Sequence, residues 1–111
     1  MRNEVVIGGR LLKRGSVRYT PGGTPVVDLM IGHRSLQHEA GSAREARCEV
    51  EAVALGDIAL KLGTARVNRP LQVRGFLAQA SLRNRRLVLH VVAEEPPGGE
   101  QGLDQESRRT L

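Results

Sequence analysis

Aromatic side chains are nearly absent: the chain has one Phe, one Tyr and no Trp. Its core must therefore be aliphatic, built from Val, Leu and Ile, and little ring surface is left for stacking on nucleic-acid bases. Cysteine is equally scarce. A single cysteine, Cys48, excludes an intramolecular disulfide, and without a CxxC pair there is no structural zinc signature. A reducing, cytoplasmic setting is expected. Long apolar runs are also missing. The stretch Val5-Val6-Ile7 near the start is too short for the core of a signal peptide, and no window approaches a membrane span. One domain is expected for 111 residues, enough to bury a core without staples.

Positive charge is what the chain has in excess. The formal charge is +5, and of seventeen cations fifteen are Arg. The excess is uneven. Residues 1–93 hold fifteen Lys/Arg against seven Asp/Glu, whereas residues 94–111 hold two Arg against five acidic residues. Arginine forks onto phosphate and stacks its flat guanidinium on a base, so an Arg-rich body points to nucleic acid before it points to an acidic protein. The plain alternative is a solvated basic surface.

The apolar pattern has a period of two. Val5, Ile7, Gly9 and Leu11 share one face; so do Val27, Leu29 and Ile31; Cys48, Val50, Ala52 and Ala54; Leu71, Val73, Gly75 and Leu77; and Leu87, Leu89, Val91 and Ala93. Five half-buried strands follow. Pro21-Gly22-Gly23-Thr24-Pro25 is a turn between the first two, and Arg83-Asn84-Arg85-Arg86 is a short hairpin link between the last two. Glycines at 8, 9 and 75 fit bulges or sharp bends. Between the third and fourth strands, residues 57–63 read as a short helix, with Asp57 as its N-cap and Gly63 ending it in a left-handed conformation. The order β-β-β-α-β-β predicts an all-β chain, a five-stranded OB-fold barrel with a helix between strands three and four. Glu94-Glu95-Pro96-Pro97 breaks any strand. Residues 1–93 are thus expected to be the OB domain, and 94–111 a disordered acidic and polar tail. An inert solubilising role for that tail stands beside a partner-recruiting one.

Three segments concentrate the cations. Lys13, Arg14 and Arg18 sit near the end of the first strand; Arg34, Arg44 and Arg47 flank a polar loop around Gly41; Arg83, Arg85 and Arg86 crowd the last link. In an OB barrel the first and last of these rim a face built on strands two and three, so the clusters can converge there. Three unrelated solvated loops are the alternative. No enzyme is indicated. His33, His38 and His90 can be paired on paper with Ser35 or Cys48, but no nucleophile elbow or Cys/His signature surrounds them. Cys48 is expected as a small core residue, His38 as plain surface and His90 as packed or hydrogen-bonded. Neither glycine pair, 8–9 or 22–23, continues as a phosphate loop. No metal or cofactor is expected.

The run His33-Arg34-Ser35-Leu36-Gln37-His38-Glu39-Ala40-Gly41, with Arg44, Ala46 and Cys48, resembles the bacterial primosomal replication protein N family. Asn3, Gly9, the Pro21–Pro25 turn, Gly75-Phe76 and Val88-Leu89-His90 extend the resemblance over about residues 1–93. The resemblance implies an OB fold related to single-strand-binding protein. It also implies a homodimer that binds single-stranded DNA without sequence specificity in the primosome, with a restart helicase and a helicase-loading partner. The cationic positions that match are Lys13, Arg18, Arg34 and Arg44, and the last link keeps a basic character through Arg83, Arg85 and Arg86. The chain departs from the family where aromatics can precede strand three, for here those positions are Ser42 and Arg47. Arg47 can replace part of a ring by stacking and pairing with phosphate. Weaker and more salt-dependent DNA binding than in aromatic-bearing relatives is the expectation. A protein-interaction adaptor with weak DNA binding, and an OB module for structured RNA, are the rivals.

Overall fold

A computed structural model describes residues 1–96. The elements run β1 (Val5–Arg14), β2 (Arg18–Tyr19), β3 (Pro25–Glu39), β4 (Ser42–Leu55), α1 (Asp57–Leu62), β5 (Pro70–Gln79) and β6 (Leu87–Glu95). β1 pairs with β3 and β5, β3 with β4, β4 with β6, and β6 with β5, which closes a five-stranded barrel. The β4–β6 pairing is parallel and the other four are antiparallel. This is the expected OB-fold barrel. β2 is a two-residue addition, paired with Val26 and Pro25 of β3 across the Pro21–Pro25 turn; it is too short to carry a period.

The alternation places most of the core as the sequence implies, except at the start of β6, where Leu87, expected inward, is 63% exposed and Val88 is buried. Leu11, Val27, Ile31, Val73 and Leu89 are fully buried, and Leu29, Ala52, Ala54, Leu71 and Val91 nearly so. Close approaches of strands require glycine at two corners. A Cβ on Gly9 would collide with the Gly32 carbonyl of β3, and one on Gly75 with the His90 carbonyl of β6. Gly75 also sits at a register shift between β5 and β6. Gly8, by contrast, lies in regular pairing opposite Gln72. Asn3 extends the barrel without being a strand: its side-chain amide donates to the Leu77 carbonyl at 2.7 Å and accepts from the Leu77 N–H at 2.9 Å.

The helix is where expected, but its caps differ. Gly56, at φ 86°, is the N-cap, and Asp57 lies in the first turn without a side-chain capping bond. Gly63 is right-handed, at φ −64°. It is small for a different reason: a Cβ there would run into the Val17 side chain. Ala59 and Leu62 are fully buried, and the helix packs on β3, β4 and β6.

Three other expectations are corrected. The segment around Gly41 that Arg34, Arg44 and Arg47 flank is not a loop. β3 and β4 continue as a hydrogen-bonded ribbon, with unbroken register from Val26↔Leu55 to Glu39↔Ser42, and turn back at Ala40-Gly41. Both turn residues have positive φ, 50° and 77°, the geometry of the tightest hairpins. Cys48 is exposed rather than in the core. Its phase matches Val50 and Ala52, but it lies on the ribbon opposite His33, above the level at which that face is filled. Finally, β6 includes Glu94 and Glu95, opposite Val73 and Gln72. Arg69 grips Glu94 with two hydrogen bonds of 2.6 and 3.1 Å, Lys61 approaches it at 3.4 Å, and Arg74 meets Glu95 at 3.1 Å. The proposed tail from residue 97 onward lies outside the described residues.

Candidate nucleic-acid interface

A groove of about 670 Å³ runs across the outer face of β3 and β4, between the β1–β2 corner and the β5–β6 link. Register decides which residues can face it. On the outer side of the β3–β4 pair lie Asp28, Met30 and Arg34 from β3, and Arg47, Glu49, Glu51 and Val53 from β4. Lys13, Arg14 and Arg18 border the groove at one side, Arg86, Val88 and His90 at the other, and Asp28, Met30, Glu51 and Val53 form its floor. Two of the three cationic segments therefore converge, through Lys13, Arg18 and Arg86. Arg83 and Arg85 are exposed on the same link as Arg86 but do not line the groove.

The third segment divides. Arg34 and Arg47 are directly opposite each other on one face of the ribbon, the face continuous with the groove floor. Arg44 is opposite Gln37 and points to the other face. Its partner there is Glu39, at 3.3 Å.

Most of these arginines already hold a carboxylate. Arg18 bonds Asp28 at 2.6 Å, and Arg86 Nε donates to both oxygens of Glu51 at 2.8 and 2.9 Å. Arg34 and Arg47 share Glu45, Arg47 at 3.1 Å. Among the described residues Lys13, Arg83 and Arg85 have no ion pair. The pairing shows in the acidity of the acids. The hydrogen bond from Arg86 holds the Glu51 carboxyl below the ordinary carboxylate range, against partial burial and the neighbouring charge of Asp28. The bond from Arg34 does the same for Glu45, with Arg47 assisting. Groove cations number four, Lys13, Arg14, Arg18 and Arg86, against two carboxylates. Arg14 is partly occupied in structure, donating to the carbonyls of Ala65 at 2.9 Å and Gly15 at 3.2 Å.

Sequence reasoning passed over the floor carboxylates and an aromatic pair. Phe76 and His90 are cross-strand partners, and their rings stack at 4.9 Å with 9° between planes. His90 is thus packed, as expected, and lines the groove, while Phe76 is 40% exposed. The chain's poverty in aromatics hid this platform; only register could have joined the two rings. The string from His33 to Gln37 also has a second role. His33 Nδ1 lies 2.6 Å from the Gly8 carbonyl, which can only accept, so Nδ1 carries the proton. His33 Nε2 then accepts from the Ser35 hydroxyl at 2.7 Å, and Ser35 Oγ accepts from Gln37 Nε2 at 2.9 Å. Alternate residues of the string thus fasten the root of the ribbon to β1. His33 and Ser35 do meet, but as links in this relay. His38 is exposed. Among the described residues, no three His, Cys, Asp or Glu side chains gather as a metal cluster.

Known proteins resemble this chain in sequence and in fold. A family model described as "Another single-strand binding protein family" matches residues 3–93. The replication restart protein PriB of Bordetella pertussis is 36% identical over 102 residues, 92% of this chain and 95% of that one. The PriB of Nitrosomonas europaea is 36% identical over 90 residues, 81% and 83% of the two chains. Among solved structures, PriB from Ralstonia solanacearum superposes with a TM-score of 0.77 at 29% identity, covering 86% of this chain and 97% of that one. A single-stranded DNA binding protein from Thermus aquaticus shares the fold, with a TM-score of 0.67 at 24% identity over 88% of this chain and 52% of that one. With the family match running from residue 3 to 93 and 36% identity across nearly the whole of both chains, the protein belongs to the single-strand binding family that includes the replication restart proteins PriB.

Proposed function

We propose that this chain binds single-stranded DNA without sequence specificity, as a cytoplasmic accessory protein of the replication-restart primosome, and that it is not an enzyme. The observation that carries the reading is the groove across β3 and β4, where Lys13, Arg18 and Arg86 converge from separate segments. It lies in a chain 36% identical to replication restart proteins. Arg34 and Arg47 extend the same face along the ribbon, and Arg83 and Arg85 offer exposed charge on the link that carries Arg86. Backbone charge is the sequence-independent part of DNA binding, and arginine is suited to it. The Phe76–His90 stack supplies ring surface at the wall. Arg44, on the opposite face, contributes charge without touching the same path.

The active form is a homodimer. β1 pairs with β5 over Val5 to Arg10, yet β3 joins its other edge only from Arg10 onward. The edge from Val5 to Gly9 has no strand partner among the described residues, and an open edge invites a second copy. Two copies double the basic surface available to one strand. The restart helicase and a helicase-loading protein are the protein partners.

A second reading, an adaptor with residual DNA affinity, is favoured by the ion pairs that occupy Arg18, Arg34, Arg47 and Arg86. A fluorescence-anisotropy titration of labelled oligo-dT at several salt concentrations, with duplex as control, separates them. If about five phosphates are neutralised, the log–log salt slope is about −3.5. Saturable binding with that slope and a preference for single strands supports the DNA reading. Absent binding, or equal binding to duplex, moves the function to the adaptor. Helicase stimulation that survives replacement of Arg83, Arg85 and Arg86 by Ala would then be its signature.

A further inference from the structure

Two acids of the groove floor are aimed at the two arginines that come from opposite rims. Asp28 projects from β3 to Arg18, and Glu51 from β4 to Arg86. The carboxylate oxygens occupy guanidinium donors that a phosphate would need, and the Arg86–Glu51 pair uses both oxygens against one N–H, at 2.8 and 2.9 Å. Carboxylate and phosphate compete for guanidinium through the same hydrogen-bond geometry. Both pairs are open to solvent, with side-chain exposures of 57 and 62% for the first and 52 and 38% for the second. Such pairs are weak and exchangeable rather than fixed parts of the fold.

We propose that Asp28 and Glu51 are built-in competitors for phosphate that set the affinity and salt dependence of the groove, holding Arg18 and Arg86 in place until a polyanion displaces them. The inference rests on the single-strand-binding reading and adds its affinity-determining residues. Its consequences are specific. A phosphate that takes Arg86 evicts Glu51, and the freed carboxylate recruits a cation from solution. The net ion release per phosphate is therefore smaller than for a free arginine. The groove should bind with a shallower salt slope than its cation number implies, and binding should be readily reversible.

Neutralising the two acids tests this. The Asp28→Asn and Glu51→Gln variants, singly and together, are titrated with labelled oligo-dT beside the native protein and a Glu49→Gln control. Glu49 lies on the same face of β4 but has no ion pair among the described residues. Two residues along a strand span about 7 Å, within the screening length of about 8 Å at physiological salt, so the control measures the general gain in charge at the groove. Circular dichroism confirms folding of each variant. Each floor variant is expected to bind about two- to five-fold tighter, as follows from the strength of exposed ion pairs. The salt slope should steepen by at most about 0.7 for each arginine released, and Glu49→Gln, which frees no arginine, should give a clearly smaller change in both. Equal gains from Glu49→Gln and Glu51→Gln, or no gain from the floor variants while the native protein binds, overturn the proposal and leave the DNA reading standing. Binding by the double variant alone upholds the proposal and removes DNA from the native function. Binding by neither, at the lowest salt, defeats both.

Discussion

The barrel and the ribbon are made from the same two strands, yet they are held by different forces. In the lower part of β3 and β4, Val27, Leu29, Ile31, Ala52 and Ala54 are buried, and burial of apolar area sets the register. In the upper part, from His33 to Glu39 and from Ser42 to Glu49, both faces meet solvent except at the root. There the ladder, the His33–Ser35–Gln37 relay, cross-strand ion pairs and a tight turn take over. Hydrogen bonds and exposed ion pairs each contribute little net stability. The ribbon should therefore open locally without unfolding the barrel, which suits a segment proposed to follow a flexible strand.

The largest test of that contrast is a pair of leucines. Leu89 is fully buried in β6, and Leu36 on the ribbon is 68% exposed. Leu89→Ala should destabilise the protein by about 2–5 kcal/mol, whereas Leu36→Ala should stay within about 0.5 kcal/mol. Urea denaturation checks both. A large loss from Leu36→Ala would mean that the ribbon is buried in solution, as in an assembly.

The next test concerns ion pairs in the two regions. Glu94 is only 12% exposed and is held by Arg69 with help from Lys61; its groove and ribbon counterparts are far more open. The hydrogen bond from Arg69, against the opposing effect of burial, keeps the Glu94 carboxyl below its ordinary value near 4.5. A carboxyl lowered on folding stabilises the native state above its unfolded value. That stability is lost as pH falls through the lower folded value. Glu94→Gln should cost about 1–2 kcal/mol at pH 7, after allowance for the part-exposed arginine, and the cost should shrink as pH falls below 4.5. Thermal unfolding at pH 7 and pH 3 reads the difference. Glu45→Gln, on the ribbon, should leave the midpoint almost unmoved at either pH.

The relay is a smaller target. Ser35→Ala removes one acceptor and one donor between Gln37 and His33, a loss of about 1 kcal/mol. Amide hydrogen exchange should quicken between residues 33 and 48 while the β1–β5 and β5–β6 amides keep their protection. Uniform quickening across the barrel would show that the two regions open together.

The difference between the regions also explains what could be read in advance. The core phase of the barrel strands was legible, apart from Leu87 and Val88 at the start of β6, because burial writes a period of two into the side chains, from Val5 and Ile7 to Leu89 and Val91. The ribbon was not, because strands solvated on both faces carry no such signal; the segment around Gly41 therefore read as a loop and Cys48 as core. The cations of the groove were legible as clusters, and two of those clusters do meet. Their carboxylate partners were not, although Glu45, Arg47, Glu49 and Glu51 alternate in plain sight. Pairing Arg86 with Glu51, or separating Arg44 from Arg34, needs the register between strands, and no residue states that by itself. The helix caps failed for a related reason: the size limit at Gly63 comes from Val17, forty-six positions away in sequence.

The smallest expected effect lies at the ribbon tip and is a gain. Ala40 adopts φ 50° and Gly41 φ 77°. A left-handed conformation suits glycine and is tolerated by Asn, whereas it strains an alanine Cβ against the following carbonyl. Asn-Gly is the favoured pair for a two-residue turn of this kind. Ala40→Asn should therefore slow exchange of the ribbon amides, through a local gain of about 0.5–1 kcal/mol. If the ribbon opens independently of the barrel, the gain stays local and the thermal midpoint does not rise. A midpoint that rises with the substitution would join the two regions into one cooperative unit, and ribbon stability would then belong to the fold rather than to the groove it extends.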